Sequence, residues 1–446
     1  MQRCAALVLG LAIWLGAPSL AGSAPDTSIR PVSRPTQSQS AIQVSRSLPL
    51  GLTRSVRPVA RAARLADPIT PEPRAPGFDR WAHEFRARAL SQGIRPAVFD
   101  TAFAQVAFLP EIVELDKSQS EFSKQIWDYL DSAVSVARVS AGQRALQETR
   151  DTLRAIERRY GVDAEIVAAI WGLESSYGAL RGSTDTLSAM ASLAFDGRRR
   201  AFFETEIIAA LRILQSGQVR LAQLRGSWAG AMGHTQFMPT SFLAHAVDGN
   251  RNGRKNIWGD DPTDALASTA NFLRENGWTC GQPWGMEVRL PRGFDVGQSG
   301  ERIKKNAAHW NAAGVRLVDG GRIPDHGPSS ILLPAGADAA AFVIFDNFQV
   351  LETYNPADAY VIGVGHLADR IAGGAALHGS WPRQDRALTR TEKVELQNRL
   401  NRAGFPPGKY DGIIGPNTIE AVRRYQASVG AVPDGYANLQ LLRRLR

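Results

Sequence analysis

The run Ala168-Ala169-Ile170-Trp171-Gly172-Leu173-Glu174-Ser175-Ser176-Tyr177-Gly178 sets one carboxyl in an almost wholly apolar stretch, and no other feature constrains the fold as strongly. The stretch reads as the end of a helix that lies inside a core. Val167, Ile170, Trp171 and Tyr177 stand seven, four, three and three residues from Glu174, so helical spacing puts all five on one face. An acid on an apolar face carries a desolvation cost, which disfavours its charged form and keeps a proton on it at neutral pH. A carboxyl so poised suits protonation of a glycosidic oxygen. The competing account is a capping or ion-paired Glu beside a turn of small residues.

A second segment bears on the choice: Gly226-Ser227-Trp228-Ala229-Gly230-Ala231-Met232-Gly233-His234-Thr235-Gln236-Phe237-Met238-Pro239. Its glycines and other small residues let backbone approach a ligand closely, and the aromatic residues among them offer flat stacking surface. Ser227 and Gln236 supply neutral hydrogen-bonding groups of the kind that sugar hydroxyls and amides use. Close helix packing also calls for small residues, so this segment too has a structural account. Together and in this order, the two segments resemble the B-type lytic murein transglycosylases, whose catalytic domain is lysozyme-like. The resemblance runs from about Phe78 to about Ala372.

The resemblance implies that Glu174, in its Gly-Leu-Glu-Ser context, is a single catalytic acid/base. Ser227 matches the serine of the family's Gly-Ser-Phe-Ala-Gly-Ala-Met-Gly run, with Trp228 in place of Phe, and Gln236 matches the glutamine of its Gln-Phe-Met-Pro end. Both are thereby implied to serve substrate binding. His234 stands where a Tyr is usual, which removes an expected stacking ring. Arg199 and Arg200 match an Arg pair along the glycan cleft. Tyr354-Asn355 and Tyr360 resemble a stretch whose Asn and second Tyr line the same cleft.

Most glycosidases need two carboxylates, and by sequence distance Asp185 and Glu204 are the candidates for the second. Neither has a distinctive context. One acid suffices if the substrate supplies the nucleophile. The acetamido oxygen of N-acetylmuramic acid can stabilise the oxocarbenium ion, and its 6-hydroxyl can attack carbon 1. Glu174 then acts as acid and afterwards as base, and the product carries a 1,6-anhydromuramyl end. The ring closure is implied by the resemblance.

Met1-Gln2-Arg3 is a short positive start, Ala5 to Leu15 is apolar, and Ser19-Leu20-Ala21 offers a small-x-small cleavage site, so residues 1–21 read as a signal peptide. The apolar run is too short to span a bilayer stably. Cys4 precedes that run and cannot be a lipid-acceptor cysteine. The expectation is an exported periplasmic protein that is soluble, is not a lipoprotein and has no integral membrane segment after signal removal. Residues 22–76, rich in Pro, Ser, Arg and Ala, read as a disordered tether.

Of the chain's net charge of +9, the tether carries +5 and residues 387–446 carry another +5, so the region between them is slightly acidic. An export signal argues against nucleic acid as the partner of a chain this basic. Anionic envelope polymers fit better, and peptidoglycan glycan strands are the expected partner of a monomer.

The expected fold class is α+β, mainly α. Helical periodicity fills 78–175, as in Trp81 through Leu90 and Gln143 through Tyr160, and returns at Arg200–Leu214 and Asp264–Asn276. Between Trp284 and Phe348, short apolar runs such as Met286–Leu290 and Ala341–Phe345 predict a small sheet-containing insertion in the helical body. The catalytic domain is thus expected over 77–386.

From Thr391 onward, Leu396-Gln397-x-x-Leu400, Tyr410-Asp411-Gly412-x-x-Gly415-x-x-Thr418 and Ala421-Val422-x-x-Tyr425-Gln426 resemble the small peptidoglycan-binding domain of wall hydrolases. Asp411-Gly412 reads as a turn, Thr418 as a helix start, and Leu396, Leu400, Val422 and Leu442 as the core of a separately folding three-helix module over 387–446.

Asp248, Asn250 and Asn252 alternate as they do at the start of a calcium loop, with Gly253 sixth, but Gly259 stands where a bidentate Glu is expected. Asp264 matches a later Asp that serves as a ligand in some relatives. Calcium there would be structural, and no cofactor is required. Two rival functions remain open to the sequence: a hydrolytic muramidase that leaves reducing ends, and a non-catalytic peptidoglycan-binding scaffold.

Overall fold

The computed structural model describes residues 75–119 and 124–446. The expected signal peptide and almost all of the tether lie outside the described residues. The helical body begins with α1 (Phe78–Ser91), α2 (Pro96–Phe103), α3 (Pro110–Gln119), α4 (Ile126–Ala133), α5 (Val136–Glu148), α6 (Arg150–Tyr160) and α7 (Ala164–Ser175). Pro96 opens α2 at a position whose N–H has no helical partner, and Gly161 closes α6 in the left-handed conformation. The periodic stretch Gln143–Tyr160 is two helices, because the chain breaks at Thr149, which ends α5 and stands at the N-cap position of α6. Eleven of the twelve residues of α7 are buried, Glu165 alone excepted, so this is an internal helix without a polar face.

The chain continues through strand β1 (Thr184–Asp185), α8 (Thr186–Asp196), α9 (Arg200–Gln215), strand β2 (Arg225–Gly226), α10 (Pro239–His245) and α11 (Thr263–Glu275). β1 and β2 pair antiparallel, Thr184 opposite Gly226, which brings the glycine-rich segment beside the loop that leaves α7. The insertion follows: β3 (Gly285–Arg289), α12 (Ala307–Ala312), β4 (Arg316–Leu317), β5 (Ser330–Leu332) and β6 (Ala341–Ile344). It forms an antiparallel sheet of order β4-β3-β6-β5 with its own core around Trp310, Val315, Ile331 and Val343. Helices α13 (Asp346–Tyr354) and α14 (Asp358–Ile371) return to the body, where α14 packs across α7, α4 and α5. The fold is mainly α, lysozyme-like, with a small antiparallel sheet, as the sequence led us to expect.

The last three helices are α15 (Arg390–Arg402), α16 (Pro416–Ser428) and α17 (Leu439–Leu445). A capping box between Thr389 and Glu392 starts α15. Leu396, Leu400, Val422 and Leu442 are fully buried in a core of this module's own. α16 begins at Pro416 rather than Thr418, whose hydroxyl instead lies beside the Gln397 amide at 3.3 Å.

The module is not a detached bead. Tyr436 packs against the main core, Asp434 accepts from the Ala337 N–H at 3.1 Å, and the Arg423 guanidinium donates to the Ser299 carbonyl at 2.5 Å and lies 3.1 Å from the Ser299 hydroxyl. Among the described residues, no helix is long and apolar enough to cross a membrane.

Candidate active site

Glu174 stands in the last turn of the apolar helix α7 with 4% of its surface exposed. The Tyr360 hydroxyl, from the first turn of α14, donates to Glu174 Oε1 at 2.7 Å. Burial, and after it the charge of Glu174, hold the Tyr360 phenol well above its ordinary pKa, so it stays a donor at any working pH. Tyr129 of α4 lies close enough for the same two causes to push its hydroxyl up as well. The ring of Tyr354 lies parallel to that of Tyr360 at 6.5 Å, and its hydroxyl donates to the Thr235 carbonyl at 2.5 Å. The junction of α13 and α14 therefore links the carboxyl to the glycine-rich segment.

Tyr177 departs from the expected helical face. α7 stops at Ser175, and Ser176 and Tyr177 take left-handed conformations with φ of 51° and 58°. The Tyr177 hydroxyl then donates to the Arg138 carbonyl at 3.0 Å, while Arg138 itself donates to Gly172 O at 2.9 Å. Burial pushes the Tyr177 phenol up to about 12. Gln236 is also left-handed, at 53°. Only four non-glycine residues among those described have positive φ, and three of them sit in the two segments singled out by sequence. Each such conformation costs on the order of 1–3 kcal/mol and persists where surrounding structure imposes it, which is characteristic of functional sites.

The glycine-rich segment is a closed turn. Ser227 Oγ accepts from the Ala231 N–H at 3.1 Å, and Ser227 N–H donates to Ala231 O at 2.7 Å. The Gln236 amide nitrogen donates to the carbonyls of Arg181 and Gly233 at 3.1 and 2.8 Å. Gly182 and Gly226 touch backbone to backbone: a Cβ on Gly182 would fall 2.2 Å from the Gly226 carbonyl. Ser227 and Gln236 thus both brace the wall next to α7.

Asn355 is buried, its side-chain oxygen accepting from the Ala357 N–H at 3.2 Å at the entry to α14. The Arg pair is organised elsewhere, between α8 and α9. Arg199 donates to Asp116 of α3 at 2.5 Å and covers the Phe203 ring, and Arg200 reaches the Ala194 carbonyl at 3.3 Å.

Both candidates for the second carboxylate are engaged in structural bonds. Asp185 caps α8 by accepting from the Ser188 N–H at 2.8 Å. Glu204 accepts from Trp81 Nε1 at 3.0 Å and pairs with Arg88 at 2.7 Å. Glu206, beside it in sequence, takes the N–H and hydroxyl of Thr240. A different set of acids, in no sequence motif, converges elsewhere: carboxylate oxygens of Glu301, Glu352 and Asp358 lie within 4.8 Å of one another. Burial raises all three, and mutual repulsion adds to the rise in Glu352 and Asp358. Asp358 is two residues from Tyr360, and helical i, i+2 positions face apart.

In the loop after α10, Asp248 accepts from the N–H groups of Asn252 and Gly253, Asn250 reaches Asp261, and buried Asp264 accepts from the N–H groups of Gly249, Asn250 and Asn256. The four residues converge on one turn. All their acceptors are oxygens, a donor set compatible with a hard cation, though only two of them are carboxylates.

Tyr129, Arg138 and Arg181 lie in no sequence motif; packing brings Tyr129 near Glu174 and Arg138 to Gly172 of α7, and Arg181 to the His234 ring.

Comparison with known proteins places this geometry in context. Residues 77–369 match the family described as transglycosylase SLT domain, and residues 389–445 match a putative peptidoglycan binding domain. The chain is 32% identical over 251 residues to membrane-bound lytic murein transglycosylase B of Escherichia coli K12; the match spans 55% of this chain and 66% of that protein. The crystal structure of SltB3 from Pseudomonas aeruginosa in complex with NAG-anhNAM-pentapeptide is 45% identical, with a TM-score of 0.80 over 83% of this chain and 99% of that one. The Escherichia coli lytic transglycosylase Slt35 in complex with calcium is 27% identical, with a TM-score of 0.57 over 65% and 92% of the two chains.

Proposed function

We infer that this chain, which belongs to the transglycosylase SLT family and so to the peptidoglycan lytic transglycosylases, cleaves the β-1,4 bond between N-acetylmuramic acid and N-acetylglucosamine with Glu174 as its single acid/base. One observation carries this reading: Glu174 is a buried carboxyl held by a permanent phenolic donor, Tyr360, while Asp185 and Glu204 are engaged in structural bonds.

The carboxylic acid of Glu174 gives its proton to the glycosidic oxygen as the bond to carbon 1 breaks. The acetamido oxygen of the muramyl residue steadies the cation. The resulting carboxylate then takes the proton of the muramyl 6-hydroxyl as that oxygen bonds to carbon 1, which returns Glu174 to its starting state. No water is consumed, and the product is a 1,6-anhydromuramyl end. SltB3, the 45%-identical relative, is named with an anhydromuramyl ligand, and that chemistry supports the same outcome here.

Ser227, Gln236, Asn355 and Tyr360 form the cleft wall around the reacting sugar, and Arg199 and Arg200 lie further along the glycan. Residues 77–386 are the catalytic domain, and 387–446 bind the wall. Residues 1–21 direct export to the periplasm, and 22–76 serve as a tether. Asp248, Asn250, Asn252 and Asp264 would hold a calcium ion structurally; the acid/base steps use none.

The test is digestion of purified sacculi by the wild type and by Glu174→Gln, with mass analysis of the fragments. The wild type should release fragments lighter by one water than lysozyme products, and the variant should lose about 10²–10⁴ in turnover yet still bind sacculi. Reducing ends from the wild type make it a muramidase. Full activity in the variant removes Glu174 from the reaction, and inactivity of both favours a scaffold.

A further inference from the structure

The acid/base steps give His234 no part, and its sequence position suggested only a lost aromatic ring. The structure gives it a defined place. It is 3% exposed, and it faces Trp171, three residues before Glu174 on α7. We propose that His234 is a positioning residue for Glu174: a neutral imidazole, protonated on Nε2, that locks the end of α7 to the glycine-rich segment through Trp171.

Donor and acceptor chemistry fixes the tautomer. An indole N–H can only donate, and Trp171 Nε1 lies 3.1 Å from His234 Nδ1, so Nδ1 carries no proton. A carbonyl can only accept, and Gly259 O lies 2.7 Å from Nε2, so Nε2 carries the proton. The Arg181 guanidinium nitrogen 3.4 Å from Nε2 is then a charge contact and not a hydrogen bond. It donates instead to the carbonyls of Gly259 and Trp258 at 2.6 and 3.1 Å.

The backbone of the same residue completes the lock. The Ser175 hydroxyl, adjacent to Glu174, donates to the His234 carbonyl at 2.5 Å, and the His234 N–H donates to Ile257 O at 3.1 Å. Gly178 leaves just enough room: a Cβ there, at a φ of +86°, would fall 2.5 Å from Nδ1. The imidazole is thus enclosed by the helix end, the loop after it and the segment around Gly259.

A second proton on this ring would point from Nδ1 at the Trp171 N–H and set two donors face to face. The hydrogen bond would be lost, and with it the side-chain half of the lock, leaving the last turn of α7 tied to this residue only through the Ser175 hydroxyl. The charged groups around the ring are Arg181, which opposes that proton, and Asp260 and Asp261, which favour it. Asp260 is itself paired with Arg181, and Asp261 accepts from Thr263 and Asn250. Burial outweighs the two acids and keeps the imidazole below its ordinary value. The lock therefore holds at neutral pH and opens on acidification.

The proposal rests on Glu174 being the acid/base, but its spectroscopic test does not. In ¹⁵N-labelled protein, the indole signal missing from Trp171→Phe identifies Trp171. That signal should titrate between pH 7.5 and 4 with a midpoint below about 6.5, and should not titrate in His234→Asn, which keeps a side-chain acceptor near the Nδ1 position but no titrating group. In the enzyme assay, kcat of the wild type should fall with the same midpoint while KM changes little. That limb should be missing from His234→Asn, whose kcat at pH 7.5 stays within about tenfold of wild type, a tenfold change being about 1.4 kcal/mol. A Trp171 signal that ignores pH in the folded wild type, or titrates equally in His234→Asn, overturns the proposal. If His234→Asn does not fold, the wild-type signal and His234→Gln decide. Absence of turnover by the wild type at every pH would instead be a failure of the lytic reading, and the indole titration would still settle the lock.

Discussion

Replacing Tyr360 by Phe isolates one hydrogen bond at the centre of the site. The ring stays, with its parallel partner Tyr354 at 6.5 Å, and only the hydroxyl 2.7 Å from Glu174 Oε1 is removed. A buried hydrogen bond to a group that carries charge during the reaction contributes about 1.5–3 kcal/mol. If the bond acts when Glu174 is ionised, after proton transfer to the leaving oxygen, most of that energy belongs to the transition state. Each 1.4 kcal/mol is a factor of ten in rate, so kcat should fall about 10- to 100-fold. Global stability should fall by only about 0.5–1.5 kcal/mol, the ordinary net contribution of one hydrogen bond. Steady-state release of anhydromuramyl fragments from soluble glycan strands measures the first quantity, and thermal melts by circular dichroism measure the second. A kcat within twofold of wild type refutes the role assigned to Tyr360. A loss of kcat that merely tracks a collapse in melting temperature refutes it as well.

Three further outcomes are expected. Arg423→Ala removes a half-buried guanidinium from the Ser299 carbonyl and hydroxyl, so it should cost about 1–3 kcal/mol and speed amide exchange around Gly300; unchanged exchange would make the module an independent bead. Calcium at 10 mM, against a weak site with a Kd of about 1 mM, should add about 1.4 kcal/mol by mass action and raise the melting temperature by a few degrees; an unmoved melt leaves the Asp248 loop a self-satisfied turn. His366, in α14, is held down to about 4 by burial and by Arg370. The unfolded chain binds this proton from about pH 6.5 downwards and the folded chain does not until about 4. Stability should therefore be complete above that window, fall across it by on the order of 3 kcal/mol, and fall less in His366→Gln.

Much of this was legible in the sequence because it depends on local pattern. The long apolar run read as an internal helix, and the short apolar runs at Met286 and Ala341, set off by Gly and Pro, read as strands of a small sheet. What the pattern could not carry was any partner chosen by packing. Arg199 matched a glycan-lining position, yet its guanidinium is paired with Asp116, eighty-three residues earlier. Ser227 drew notice for its hydroxyl, and the bond that hydroxyl makes is to the Ala231 N–H four residues on. Tyr177 was placed by helical spacing that ends two residues too soon, because the chain turns left-handed at Ser176. His234 was read as a missing ring, since a resemblance transmits residue types and not the new contacts that a substituted side chain makes.

The distribution of acids favours the proposed mechanism, in which a single carboxyl serves twice. Asp185 begins a helix, Glu204 holds an indole and an arginine, and Glu206 holds Thr240, so each would have to give up a structural bond to act as base or nucleophile. Asp358 comes nearest in sequence to Tyr360, but it belongs to the cluster with Glu301 and Glu352, where burial favours its protonated form. In that mechanism the nucleophile arrives with the substrate. A hydroxyl tethered on the same sugar needs no second catalytic residue, because intramolecular attack has an effective concentration far above that of water, on the order of 10⁵–10⁸ M when well oriented. What the protein must supply is orientation of the sugar and a carboxyl that stays in place through both proton transfers. The Tyr360 hydroxyl on Glu174 itself and the Trp171–His234 contact one turn earlier on α7 meet that second requirement together.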